Sequence, residues 1–431
     1  MVATLWRVIT LSLAFARQLG GQCQRIVTER ILRKMSAYPK DLDQGWRRRL
    51  RSRVLRWYDQ NGRKLPWRES ADPYRIWVSE IMLQQTTVAA VVPYFERFIE
   101  RFPDVRRLAE AEQDQVLHLW EGLGYYSRAR NLHKAAGVVV HEMNSRFPES
   151  ADELEQLPGI GPYTAGAISS FAFNRPAAIV EANTLRLFSR LIELDIDPRG
   201  TQGQKKLWKF AGWIVSRKRA ADFNQAVMDI GSQVCCPVDP KCSTCPLMPS
   251  CKSFEQGRQS EIPLKKPKPK ITDVTEVSVA VRKGGRYLLR QRTDSERWAG
   301  LWDFVRFEVR DEDVVTVQMP ERRQTKGPAA LPGQQSLFAD DSAKALSQLP
   351  PSLSARVNDL TGTMVRSYEP VTEIRHAVTR YRIRLLCLVC NFEDGRLKQG
   401  AGYQWCSRNQ LRELPLSTTG RRFAELLDAC R

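Results

Sequence analysis

The chain has 431 residues, 42% hydrophobic and 27% charged, with Lys+Arg 67 against Asp+Glu 48. At roughly 100–200 residues per domain this length implies two or three domains, and the balance excludes a wholly disordered or collagenous chain. A formal charge of +19 makes a polyanion the leading partner, nucleic acid first.

The N-terminal stretch is strongly basic. Val8–Ala16 is apolar and ends in Ala-Phe-Ala, imitating a short signal-peptide core. No apolar run approaches the ~20 residues needed to cross a bilayer. Met35 is the better start, and residues 1–45 read as a disordered basic extension.

From Arg47 to about Phe254 the texture is helical, with no strand expected. Asp72-Pro73 reads as an N-cap followed by proline at the first helical position. Tyr74, Trp77, Ile81 and Val88 then recur near a 3.6 period. Ser150-x-x-Glu153 is a capping box opening a short helix that ends at Leu157-Pro158-Gly159. Helices are expected over Thr164–Phe171 and over Phe223–Val234, the latter with Phe223, Ala226, Val227, Ile230 and Val234 on one face.

The prolines and lysines of 264–270 mark a linker. Beyond it the texture turns to strands. Glu276–Leu289 alternates around Lys283-Gly284-Gly285-Arg286, a hairpin signal. Arg382–Phe392 is β-rich, Gly420–Cys430 reads as a closing helix, and Pro320–Ala343 as a long polar loop. The C-terminal part is therefore a separate α+β domain. The boundaries are 1–45 extension, 46–234 helical domain, 235–254 four-cysteine loop, 255–272 basic linker and 273–431 C-terminal domain.

Cys235, Cys242, Cys245 and Cys251 form C-x6-C-x2-C-x5-C. Four thiolates this close in sequence suit a single zinc or an iron–sulfur cluster equally. Cys236 is set aside by the spacing. Cys387 and Cys390 would face opposite sides of a strand, so they read as packing residues. The run Leu157–Gly166 sets Gly159 and Gly161 in a tight turn between two helices. Glycines allow close backbone approach, and the second helix start offers free N–H groups to a phosphate. In Ser79–Thr86, Glu80 lies among Ile76, Trp77, Ile81 and Met82, an apolar setting that raises a carboxyl pKa and suits a general acid. The adjoining Gln84-Gln85 pair implies a polar contact there.

In order, Pro66-Trp67-Arg68, SEIMLQQT, Gly122-Leu-Gly-Tyr-Tyr126, LPGIGPYTAG and the cysteine loop make 46–255 resemble the helix-hairpin-helix DNA glycosylases. Within that superfamily the chain is similar to the MutY family of adenine glycosylases, whose C-terminal Nudix-like domain 273–431 matches more weakly. The resemblance implies a mainly α glycosylase domain with an iron–sulfur loop and an α+β Nudix-like domain. It also implies one 4Fe-4S cluster on Cys235, Cys242, Cys245 and Cys251. The substrate would be double-stranded DNA carrying adenine opposite 8-oxoguanine or guanine, met by a cytoplasmic monomer, nucleoid-associated if bacterial, away from membranes. In the lyase branch, typified by endonuclease III, a lysine forms a Schiff base. Here Tyr163 holds that position, and no lysine lies between Lys134 and Lys205. A monofunctional enzyme is expected, ahead of a bifunctional pyrimidine glycosylase/lyase or a non-catalytic lesion binder.

Carried over residue by residue, the resemblance makes Gln85 and Tyr125 duplex wedges. It sets Trp67, Arg68 and Leu83 around the adenine pocket, and Gln225 and Asp229 near its edge. Glu80 would protonate adenine N7 and later activate water, with a second carboxylate steadying an oxocarbenium-like sugar, as in paired-carboxylate glycosidases. Two departures stand out. The usual Asp-Gly-Asn is Glu181-Ala182-Asn183, one methylene longer or roughly 1.5 Å. The lesion-reading Phe-Ser-His loop is replaced after Arg375-His376 by Ala377-Val378-Thr379-Arg380, where only the Thr379 hydroxyl persists. Trp298–Trp302 matches another signature of that domain. Because the acidic box of nucleotide-hydrolysing Nudix enzymes is missing from the sequence, no nucleotide hydrolysis is expected.

Overall fold

The computed structural model describes residues 42–264, 271–314, 317, 347–400 and 402–429. Residues 1–41 of the basic extension, the Lys/Pro run 265–270, the polar stretch Pro320–Ala343 and Cys430 lie outside the described residues. Contacts gather the chain into two compact units. One joins the segment ending at Gly62 to Val180–Pro263; the other joins Arg63–Ile179 to Leu264–Arg431.

In chain order the N-terminal helices are α1 (Gln44–Asn61), α2 (Pro73–Leu83), α3 (Val88–Arg101), α4 (Val105–Ala109), α5 (Gln113–Leu119) and α6 (Ser127–Glu142). They continue with α7 (Ala151–Leu154), α8 (Pro162–Phe173), α9 (Ala182–Leu191), α10 (Thr201–Ile214), α11 (Ala220–Gln233) and α12 (Lys252–Glu255). Among the described residues of 47–254 there is no strand, as the periodicity predicts.

Local chemistry accounts for the helix ends. The Asp72 carboxylate accepts from Tyr74 N and Pro73 opens α2. That helix stops at Leu83, where Gln84 swings to ψ 114°. Val88 therefore opens α3, which corrects the expectation that it continues the face of Tyr74 and Ile81. Ser150 caps α7 through Glu153 N at 3.3 Å, but the returning contact is Ser150 Oγ to the Glu153 carboxylate at 2.6 Å. The helix itself ends at Leu154, earlier than the sequence suggests.

In the first unit, α1 buries Trp46, Leu50 and Val54. Trp46 stacks on Trp213 with ring centroids 5.8 Å apart and meets Phe210 at 6.1 Å. Arg51 donates to the carbonyls of Ile214 at 2.7 Å and Trp213 at 3.1 Å, satisfying the free end of α10. On α11 the buried face carries Phe223, Ala226, Val227 and Ile230.

In the second unit, α2–α6 and α8 close on a core that includes Trp77, Phe95, Phe98, Trp120, Leu132 and Ile168. The C-terminal region is built on strands β1 (Thr272–Lys283), β2 (Arg286–Gln291), β3 (Trp302–Asp303), β4 (Val305–Val309), β5 (Ser347–Gln348), β6 (Thr363–Met364), β7 (Ser367–Val378), β8 (Tyr381–Asn391), β9 (Asp394–Gly395) and β10 (Tyr403–Cys406). Its helices are α13 (Asp311–Val314), α14 (Pro351–Thr361), α15 (Arg408–Glu413) and α16 (Thr418–Ala429). Gly284 and Gly285, at φ 53° and 74°, make the two-residue turn of the expected hairpin. The main sheet runs β10-β2-β1-β8-β7-β5, with β1 and β8 parallel from Thr272↔Tyr381 to Arg282↔Asn391.

Helices cover both faces. Val279, Leu386, Leu388 and Cys390 pack with Leu353 and Val357 of α14. Ala280, Leu385 and Cys387 pack with Leu411, Phe423 and Leu427 of α15 and α16. Cys387 and Cys390 thus serve opposite cores, as their odd separation on β8 requires. The sheet domain is fastened to the helices of its own unit. Arg421 forks onto the Glu121 carboxylate at 2.8 and 3.0 Å, and Trp302 Nε1 donates to Asp114 at 3.2 Å. No helix among the described residues is long and apolar enough to cross a membrane.

Candidate active site

Glu80 lies in the last turn of α2, only 3% exposed, between Ser79 and the apolar side chains of Ile81 and Met82. Tyr163, at the start of α8, donates its hydroxyl to Glu80 Oε2 at 2.6 Å. That is a short, well-formed O–H···O hydrogen bond. Pro162 at the first position of α8 fixes the backbone that aims Tyr163. Beside it, Gln84 Nε2 reaches Thr164 Oγ1 at 3.3 Å, the polar contact that the glutamine pair implies. Two elements far apart in sequence therefore meet at one buried carboxyl.

The turn before α8 is shaped by Gly159, at φ 76°. A Cβ there would fall 2.5 Å from Asn131 Cβ, so the site admits only glycine. Gly161 is the N-cap of α8 and leaves the first N–H groups of the helix without a side-chain cap.

Two loops project side chains outward from this unit. Gln85 is exposed and sits at φ 59°; Tyr125 is 50% exposed at φ 47°. Left-handed backbone is rare for residues other than glycine, and it concentrates at functional sites. Trp67, in a short helical turn with Pro66 and Arg68, is 4% exposed and meets Phe95 edge-on at 5.3 Å. Arg68 Nη1 lies 3.4 Å from the carbonyl of Arg63, and Leu83 packs half-buried against the core.

In the other unit, Glu181 is the N-cap of α9. Its two carboxylate oxygens accept from Asn183 N and Thr184 N, each at 2.8 Å, and Thr184 Oγ1 accepts from Glu181 N at 2.8 Å. Burial raises the Glu181 pKa against the opposing pull of those N–H groups. Gln225 accepts from the Tyr58 hydroxyl at 2.5 Å, and Asp229 is fully buried on α11.

Cys235, Cys242, Cys245 and Cys251 line one pocket with the apolar side chains of Leu187, Leu191, Val234 and Leu247. Cys236 is absent from that lining and bonds instead toward Ser232 O at 3.7 Å. Burial pushes the Cys245 thiol up to about 12 and that of Cys251 to about 11. Among the described residues, no three His, Cys, Asp or Glu side chains converge tightly enough to hold one metal ion. Buried Arg190 donates to Cys235 Sγ at 3.2 Å and to the Cys236 carbonyl at 2.8 Å.

Residues 78–212 match the HhH-GPD superfamily of base excision DNA repair proteins, and residues 277–426 match the NUDIX domain. An adenine DNA glycosylase of Buchnera aphidicola subsp. Baizongia pistaciae is 40% identical over 265 residues, covering 61% of this chain and 75% of the relative. The chain belongs to the adenine DNA glycosylase family. Similar relatives include the adenine DNA glycosylases of Mus musculus, 39% identical over 59% of this chain and 52% of that one, and of Homo sapiens, 42% identical over 49% and 40%. The protein is accordingly a base-excision repair enzyme that acts on DNA, a glycosylase hydrolysing N-glycosyl bonds. Its helical and Nudix-like parts are those the sequence motifs suggest.

Sequence reasoning passed over Arg128. Its Nη1 lies 2.6, 3.0 and 2.7 Å from the carbonyl oxygens of Ile81, Met82 and Gln84. Nη2 lies 3.0 and 3.1 Å from those of Leu123 and Gly124. Burial lowers its pKa to about 10, which leaves it cationic near neutrality. The one available signal was its place three residues after Tyr125, on the first turn of α6.

Proposed function

We propose that this enzyme removes adenine mispaired with 8-oxoguanine or guanine from duplex DNA, and that Glu80 is its general acid. The observation that carries this reading is the 2.6 Å hydrogen bond from Tyr163 to Glu80 inside an apolar helical setting. An extruded adenine would enter between Trp67, Arg68 and Leu83, since a base must leave the stack to be reached. Tyr163 occupies Glu80 Oε2 and orients the carboxyl. Glu80 gives its proton to adenine N7, and the electrons of the C1′–N9 bond leave with the base. The sugar is left oxocarbenium-like and needs a second carboxylate to steady it, for which the family motif offers Glu181. Water then adds at C1′ and returns a proton to Glu80.

Gln85 and Tyr125 act as wedges from their exposed, left-handed positions. Gly159 and Gly161 bring the start of α8 to the phosphate backbone. Thr379, at φ 53° in the exposed β7–β8 turn, is the side chain offered to the base opposite adenine. The cysteine pocket fits the 4Fe-4S cluster that the family resemblance implies, since four thiols share one apolar lining. Cys235, Cys242, Cys245 and Cys251 would hold it, and when bound it supplies a structural cross-link. On this reading 1–45 is an extension, 46–234 the glycosylase domain, 235–254 the cluster loop, 255–272 a linker and 273–431 the lesion reader. On the same reading the enzyme works as a monomer in the cytoplasm, at the nucleoid if bacterial.

The test is single-turnover excision on 8-oxoguanine:adenine and guanine:adenine duplexes, with borohydride present in a parallel reaction. Alkali-labile abasic product and no trapped protein–DNA adduct are expected. A trapped adduct, or intact adenine, would overturn the reading.

A further inference from the structure

We infer that Arg128 is the positioning residue that locks Gln85 and Tyr125 into one rigid wedge, so that its guanidinium fork governs how well the target base is extruded. The inference rests on the roles proposed above for those two tips.

Five carbonyl contacts carry it. One side of the fork holds Ile81, Met82 and Gln84, carbonyls at the end of α2 just before Gln85. Helix ends leave such carbonyls without intrahelical partners. The other side holds Leu123 and Gly124, just before Tyr125. The guanidinium also lies 5.4 Å from the Trp120 ring centroid and 5.7 Å from that of Tyr125. Every one of these residues belongs to the same compact unit.

The backbone at the two tips needs such a restraint. Gln85 at φ 59° and Tyr125 at φ 47° occupy a region that side-chain-bearing residues leave readily unless their surroundings hold them. Arg128 is the group common to both loops. Lysine cannot replace it, because a single ammonium has three donors around one point, whereas the planar fork reaches acceptors on two sides. A wedge whose halves move independently would bind phosphate as before but push less effectively into the stack.

Arg128→Lys, Arg128→Met, Gln85→Ala and Tyr125→Ala are compared with the wild type by three measurements. These are melting temperature, single-turnover excision, and fluorescence of 2-aminopurine placed at the target position. Excision is measured on the 8-oxoguanine:adenine duplex and on a duplex whose adenine faces an abasic site, where no pair must be broken. Both Arg128 variants should lose about 10- to 100-fold on the paired duplex, stay within about threefold of wild type on the unpaired one, and lose most of the fluorescence rise on binding. A general structural defect would instead lower both rates together. Equal losses on the two duplexes, or full activity of Arg128→Lys on the paired one, would overturn the inference. If Gln85→Ala and Tyr125→Ala show no selective loss, the wedge reading itself fails and the inference falls with it. If Arg128→Lys melts below the assay temperature, Arg128→Met and the fluorescence rise measured at a lower temperature decide the matter.

Discussion

The hydroxyl of Tyr163 donates to the carboxyl of Glu80 at 2.6 Å, across 83 positions of sequence. The bond joins the end of α2 to the start of α8 and gives the buried carboxyl a defined orientation. Tyr163→Phe removes it with little change of shape. A hydrogen bond contributes about 0.5–1.5 kcal/mol, so the single-turnover rate should fall about two- to tenfold while DNA affinity holds. An unchanged rate would show that Tyr163 does not orient Glu80.

Glu181 closes the first turn of α9 with both carboxylate oxygens. Glu181→Ala should lower stability by about 1 kcal/mol, the usual loss of an N-cap, whereas Glu181→Asp should keep it, because Asp is a preferred cap. Thermal melting of the two variants checks this. Equal melting of Glu181→Ala and wild type would mean that the cap contributes nothing.

Acid stability should depend on Glu296. The Arg290 guanidinium holds its carboxyl down at about 2. A carboxylate with a depressed folded-state pKa stabilises fully above its unfolded pKa, about 4.3, and loses that contribution as pH falls through the folded value. Denaturant unfolding of Glu296→Gln, followed between pH 6 and pH 2, should therefore show a shallower decline than wild type. Parallel curves would contradict the pairing.

Cys242→Ser should lose bound iron on anaerobic preparation, and Cys236→Ser should keep it, since only the former lines the pocket. Iron analysis and the visible spectrum decide. Zinc without iron in the wild type would reverse the choice between the two centres.

Much of this architecture is legible in the sequence where the signal is local. Asp72-Pro73 marks a helix start, Gly284-Gly285 a two-residue hairpin, and the odd spacing of Cys387 and Cys390 two separate cores. Signals fail where tertiary structure decides. The apolar period runs on from Ile81 to Val88 without glycine or proline to stop it, yet the helix breaks at Gln84, where ψ is 114°, and Gln85 follows at φ 59°. Arg128 was illegible for the same reason. Its five acceptors are backbone carbonyls that no residue type announces, and they converge only when α2 and α6 pack. Glu181 stands out in the sequence as a departure from the family motif, but its use as a helix cap depended on the backbone.

The central claim is that Glu80 delivers the proton that frees the base. Glu80→Gln preserves volume and hydrogen-bonding capacity but has no proton to give. Loss of a general acid lowers rates about 10²–10⁴-fold, and Glu80 is also assigned to activate water, so the upper end of that range or beyond is expected. Binding should change little, because phosphate contacts supply most of the affinity. The direct measurement is single-turnover excision of adenine from an 8-oxoguanine:adenine duplex by Glu80→Gln, at enzyme concentrations that saturate the DNA. A loss of about 10⁴-fold with retained binding is the predicted result; a rate within tenfold of wild type would contradict the mechanism.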